Sequence, residues 1–175
     1  EYGGAMSAEH GDGLARGEWI AKMFGQQLVG AFAQVKALFD PDNIMNPGKI
    51  VEPPRMDENL RYDEAYTSAT DGFEGDSFFR YQREGGLLQA VEMCSGVGHC
   101  RKKMTGTMCP SYMATLEEEH STRGRANALR AALSGRMPGG GMDSPELARV
   151  MDLCVECKAC KSECPSSVDM ARLKY

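Results

Sequence analysis

The sequence has little that a membrane-spanning or nucleic-acid-binding protein needs. No apolar run approaches the roughly 18 residues that a bilayer crossing takes, and no charged start leads into an apolar leader. Twenty basic residues stand against 25 acidic ones, for a net charge of −5. Bulk positive charge is therefore absent, and with it the usual means of holding a polyanion or an anionic surface. Histidine is also scarce, with three in 175 residues. An apolar content of 42 % still suffices for a packed core, in one domain or two small ones. The expected setting is a reducing compartment, the cytoplasm or the inner face of a membrane. The chain starts at Glu1-Tyr2-Gly3-Gly4 without Met and stops at Lys174-Tyr175 within what reads as a helix, so it is expected to be a piece of something longer.

What the chain does have is sulfur. Seven cysteines, an odd number in a sequence without a secretory signal, favour metal over disulfides. Four of them form Cys154-x-x-Cys157-x-x-Cys160-x-x-x-Cys164-Pro165. This is the spacing of the bacterial ferredoxin run, in which three thiolates grip one iron–sulfur cluster and the fourth, before a proline, serves the other. Soft sulfur suits iron, and the tight spacing lets one turn of chain wrap three corners of a cluster. Structural zinc is the rival, but zinc sites usually pair two C-x-x-C knuckles across a longer gap.

The earlier cysteines are irregular: Cys94-x5-Cys100-x8-Cys109-Pro110. If each Cys-Pro crosses to the opposite site, Cys109 joins Cys154, Cys157 and Cys160 around a 4Fe-4S cluster. Cys94, Cys100 and Cys164 are then one thiolate short. That second site reads as a 3Fe-4S cluster, as a 4Fe-4S cluster with a non-cysteine ligand such as His99, or as no cluster. A histidine beside a cluster more often donates a hydrogen bond than ligates iron. Arg101, Lys102, Lys103, Arg123 and Arg125 read either as solvated surface charge or as cations that raise the potential of an anionic cluster nearby.

Along the chain, apolar residues from Trp19 to Phe39 recur at helical spacing, predicting one helix over 17–39 that ends at Asp40-Pro41. Residues 41–49 read as a loop around Asn46-Pro47-Gly48. The stretch 51–86 is acidic and rich in Gly and Pro, and reads as a linker with a short hairpin near Phe73 to Gln82. From residue 87 the pattern is helical. Leu87, Leu88 and Val91 lead into Cys94, Pro110 starts a helix, and Ala126, Leu129, Ala132 and Leu133 mark another. Pro138 and Gly139 to Gly141 break that helix, Ser144-Pro145 caps and starts the next, and Ser167 is placed to cap a last short one.

The amino-terminal segment Ser7-Ala8-Glu9-His10-Gly11-Asp12-Gly13 packs two carboxylates, an imidazole and two glycines into seven residues. Adjacent Glu and His can act as metal ligand and general base, and glycines let backbone approach a flat ligand. A glycine-rich surface loop with an exposed histidine is the plainer reading of the same residues.

Glu9-His10-Gly11-Asp12-Gly13, the helix after it and Pro41-Asp42-Asn43-Ile44-Met45-Asn46-Pro47-Gly48-Lys49 resemble the carboxyl-terminal end of FAD-linked oxidases of the vanillyl-alcohol oxidase type. That group includes D-lactate, D-2-hydroxyglutarate and glycolate dehydrogenases. Gly98-His99-Cys100-Arg101-Lys102, Gly106-Thr107-Met108-Cys109-Pro110-Ser111-Tyr112 and His120-Ser121-Thr122-Arg123-Gly124-Arg125-Ala126-Asn127 resemble the large bacterial members fused to an α-helical ferredoxin domain.

The resemblance implies a mainly α chain. Residues 1–50 would be the helical remnant of an α+β FAD-linked oxidase substrate domain, 51–86 a linker and 87–175 the ferredoxin domain. It further implies that His10 takes the hydroxyl proton of a 2-hydroxy acid and that Glu9 helps hold zinc or another divalent metal. Asn46 either approaches the FAD or is simply the turn residue before Pro47. Asp12 departs from the apolar residue common at its place and is given no role. Electrons would pass through the clusters to a quinone, an electron-transfer protein or a partner subunit. The alternative is a flavin-free iron–sulfur subunit of a glycolate or glycerol-3-phosphate dehydrogenase complex.

Overall fold

The computed structural model describes residues 3–7, 9–70 and 77–175, with the backbone alone for Ser68. The chain divides into two units, Glu1–Arg61 and Tyr62–Tyr175. Among the described residues there are helices and no strands, so the protein is mainly α, as expected.

In the first unit a 3-10 turn at Gly17–Trp19 leads into α1 (Ile20–Phe24) and α2 (Gln26–Phe39). The expected single helix is broken at Gly25, whose φ of 80° and ψ of 159° leave the helical region at no cost to a residue without Cβ. No residue of α2 is buried, and Leu28, Val35, Leu38 and Phe39 are exposed. The helix stops at Asp40, whose carboxylate accepts the Ile44 and Met45 amides, both at 2.9 Å, and pairs with Lys36. Residues expected at the start of a linker fold back here. A Cβ on Gly17 would meet Pro53 at 2.6 Å, and the Trp19 indole N–H points at Met56 Sδ, 3.4 Å away.

The second unit begins with α3 (Glu64–Thr70) and continues through α4 (Leu87–Glu92), α5 (Pro110–Thr115), α6 (Thr122–Leu133), α7 (Pro145–Asp152), α8 (Ala159–Glu163) and α9 (Met170–Leu173). Two tyrosines of the expected linker pack into it. Tyr66 is buried and donates its hydroxyl to Glu92 Oε1 at 2.7 Å. Tyr81, also buried, donates to the Arg172 carbonyl at 2.7 Å and lies under the Arg172 guanidinium. Of the expected hairpin, residues 73–76 lie outside the described residues, and 77–82 form no strand.

Side-chain caps set several helix starts. Ser144 Oγ accepts the Leu147 amide at 3.1 Å with Pro145 at the first position, as the sequence predicts. Ser121 does the same for α6 by accepting the Gly124 amide at 2.9 Å. The last helix is capped by Asp169 rather than Ser167. Ser167 sits two residues earlier with φ of 52°, in the turn that follows Cys164. Val91, Tyr112, Ala126, Leu129, Leu147, Met151, Val168 and Met170 form one core, in which Cys94, Cys100, Cys109 and Cys160 are embedded.

Candidate metal centres

The cysteines fall into two groups, each on its own cavity in the second unit. Cys109 stands at the entry to α5, while Cys154, Cys157 and Cys160 run from the end of α7 into α8. These four border one cavity of about 330 Å³, open mouth included, lined otherwise mainly by Met108, Pro110, Val155 and Met170. The loop between Cys154 and Cys160 turns through left-handed backbone at Glu156 (φ 55°) and Lys158 (φ 61°). Those turns bring cysteines three residues apart onto the same space.

Cys94, Cys100 and Cys164 border the second cavity, of about 270 Å³, together with His99 and the glycines at 96 and 98. The structure thus brings Cys109 to the carboxyl-terminal trio and Cys164 to the amino-terminal pair. Thr122, in the first turn of α6 and 3 % exposed, borders both cavities. His99 is exposed at the rim.

No three His, Cys, Asp or Glu side chains among the described residues converge as a single ion requires. Each set of thiols instead surrounds a space, which is the arrangement a multinuclear cluster with cysteine at its corners asks for. The donor chemistry fits as well. Burial pushes the Cys100 and Cys160 thiols up, so these sulfurs favour the protonated form until a metal takes the proton's place. Amide and guanidinium donors are already aimed at sulfur: the Arg123 amide reaches Cys100 Sγ at 3.3 Å and Arg125 Nη1 reaches Cys109 Sγ at 3.5 Å.

The five basic residues divide by their surroundings. Arg123 grips both oxygens of Glu118 at 2.7 and 3.0 Å, and Arg101 reaches the same carboxylate at 3.0 Å. The Arg123 hydrogen bonds hold the Glu118 carboxyl below its ordinary value. Lys102 faces Glu163 at 3.5 Å, and Lys103 is exposed. Arg125 differs, being 0 % exposed and on the face of α6 that carries Leu129 and Ala132 into the core. The spacing of Arg125 to those residues, four and seven, was the available signal.

In the first unit Glu9 and His10 lie side by side, with His10 Nε2 3.5 Å from Glu9 Oε1 and both side chains more than 80 % exposed. Ser7 Oγ and Asp12 Oδ1 are each buried without a hydrogen-bond partner. Glu9 and His10 belong to no group of three or more potential metal ligands among the described residues. Asn46 is exposed in a left-handed turn conformation, φ 48°.

Comparison with known proteins follows the same division. Residues 1–50 match the family described as FAD linked oxidases, C-terminal domain, and residues 92–169 match the 4Fe-4S dicluster domain. A D-2-hydroxyglutarate dehydrogenase of Escherichia coli K12 is 30 % identical over 209 residues, covering 99 % of this chain and 20 % of that protein. A D-lactate dehydrogenase of Anaerostipes hadrus is 42 % identical over 50 residues, 29 % of this chain and 10 % of the relative. The glycolate oxidase subunit GlcD of E. coli K12 is 43 % identical over 49 residues, 28 % of this chain and 10 % of the relative. The chain spans about a fifth of the length of the relative it matches end to end. No solved structure matches. No helix among the described residues is long and apolar enough to cross a membrane.

Proposed function

We infer that this chain, which joins the C-terminal segment of the FAD-linked oxidases to a 4Fe-4S dicluster domain and is homologous to D-2-hydroxyglutarate dehydrogenases over nearly its whole length, is the electron-exit end of a 2-hydroxy-acid dehydrogenase. The substrate class is a D-2-hydroxy acid of the D-2-hydroxyglutarate, D-lactate or glycolate type. Its electrons reach FAD and leave through iron–sulfur clusters to a quinone, an electron-transfer protein or a partner subunit, in the cytoplasm or at the inner face of a membrane.

The observation that carries this reading is the crossed grouping of the cysteines. Cys109, Cys154, Cys157 and Cys160 would hold one 4Fe-4S cluster. Cys94, Cys100 and Cys164 would hold a second, three-iron or four-iron, with His99 at its rim. Bound there, such clusters supply one-electron transfer, which matches a flavin that collects two electrons to carriers that pass one. The chain's own part would be to hold the thiolates, bury those of Cys94, Cys100, Cys109 and Cys160, and aim N–H donors at Cys100 and Cys109, the levers that set potential.

Residues 1–50 would complete the substrate side. His10, exposed and beside Glu9, would take the hydroxyl proton of the substrate, and Asn46 would lie against the flavin. The bare stripe of Leu28, Val35, Leu38 and Phe39 on α2 supports placing this segment within a larger body. Glu9 would supply one ligand to a divalent metal, zinc or another, whose remaining ligands would come from outside this segment. The flavin-free alternative is disfavoured by the match of residues 1–50 to the FAD linked oxidases.

The test is iron and acid-labile sulfide per chain after anaerobic reconstitution, with EPR of oxidised and dithionite-reduced samples. About eight iron, or seven with an oxidised three-iron signal, is the expected result. About four would leave the first cluster alone. Zinc in place of iron would sink the electron-transfer reading.

A further inference from the structure

Arg125 is a whole cation sealed inside the protein. Its Nε donates to the Val150 carbonyl at 3.0 Å, Nη2 to Ser111 Oγ at 3.0 Å, and Nη1 to the His120 carbonyl at 2.7 Å and to Cys109 Sγ at 3.5 Å. All of these partners except the sulfur are neutral. Among the described residues no carboxylate lies within ion-pair distance of it, whereas Arg101, Arg123, Arg136, Arg149 and Arg172 each have one. A guanidinium never loses its proton in a protein, and a buried charge without a counter-charge is strongly unfavourable. The one partner able to carry negative charge is Cys109 Sγ, which also borders the four-cysteine cavity alongside Arg125 itself.

We propose that Arg125 is the built-in counter-cation of the cluster held by Cys109, Cys154, Cys157 and Cys160, and that it raises that cluster's reduction potential. The inference rests on the reading of that cavity as a cluster site. Reduction adds one electron, and so one negative charge, to a group already made anionic by its thiolates. A fixed cation in low dielectric stabilises the reduced form more than the oxidised one. Its hydrogen bond to a ligating sulfur acts in the same direction. Arg123, the neighbour two residues earlier, is partly open to solvent and faces the Glu118 carboxylate, so its charge acts on the second cavity less strongly than that of Arg125 on the first. Arg125 is a positioning residue for electron transfer, and its fork to three other acceptors is what fixes the charge beside the sulfur.

The competing role is a staple that merely ties α5, α6 and α7 together, and substitution separates the two. In the full chain, reconstituted anaerobically, iron, sulfide, thermal midpoint and the EPR-monitored midpoint potential of each cluster are to be compared for wild type, Arg125→Lys, Arg125→Gln and Arg125→Met. The Gln and Met chains are expected to shift the four-cysteine cluster to more negative potential and to leave the other cluster where it was. The Lys chain is expected to keep most of the potential while losing thermal stability with the fork. Failure of both neutral chains to take up iron while the Lys chain loads normally would also support a required charge.

Loaded neutral chains with unshifted potential, a Lys chain shifted as far as they are, or loss of iron from all three would make Arg125 a staple and overturn the proposal. A wild-type chain that binds no iron would instead overturn the cluster reading itself.

Discussion

Gly124 lies so close to Glu118 that a Cβ placed on it would stand 2.0 Å from the Glu118 carbonyl oxygen. The first turn of α6 can therefore sit on the Glu118–His120 turn only if residue 124 has no side chain. That contact seats Arg125 beneath the His120 carbonyl and Arg123 against Glu118. Gly124→Ala is expected to cost about 1–3 kcal/mol, as forced overpacking does, and to lower the denaturant midpoint of the cluster-loaded chain. An unchanged midpoint would mean that α6 slides away without penalty.

The crossed grouping makes opposite forecasts for two cysteines. Cys109→Ser should remove the cluster of Cys154, Cys157 and Cys160 and spare the other, while Cys164→Ser should do the reverse. Each chain would lose about half its iron but a different EPR signal. Loss of the same signal from both would show that ligands are not exchanged between the two motifs.

Stripping the metal should loosen the second unit far more than a surface mutation would. Burial raises the Cys100 and Cys160 thiols, and the core is built around these residues, so metal bound there would supply folding energy to the surrounding helices. After chelation the amides of α6 and α7 are expected to lose most of their hydrogen-exchange protection. Full protection in the stripped chain would contradict this.

Asp40 gives a pH test in the first unit. The hydrogen bond from Lys36, and after it the amides of Ile44 and Met45, hold its carboxyl below the ordinary 3.8. Its folded value lies under its unfolded one, so its stabilising contribution is complete above the unfolded value and is lost as pH falls through the folded one. The Ile44 and Met45 amide resonances should titrate together with an inflection below 3.8, and Asp40→Asn should abolish it. An inflection at or above the ordinary value would show that the carboxylate is not held.

The sequence carried the cysteine spacings, the Ser144-Pro145 start and the helical character of the second unit, because each depends on neighbours a few residues away. It was silent where the deciding contact is distant. Tyr66 and Tyr81 sit in an acidic stretch that reads as linker, yet their rings are buried by Arg130, Arg136 and Arg172 from far along the chain. Arg125 read as one of several basic residues; its helical spacing to Leu129 and Ala132 hinted at the buried face, but the packing itself is what separates it from Arg123. Gly25 breaks a helix whose apolar pattern continues through it unaltered. Asp169 outcompetes Ser167 for the last cap because the turn after Cys164 puts Ser167 in left-handed backbone.

Thr122 remains, the small residue that borders both cavities. Electron tunnelling slows exponentially with the thickness of what lies between donor and acceptor. Carriers held on either side of Thr122, which lines both spaces, would be near neighbours, so an electron would have little protein to cross between them.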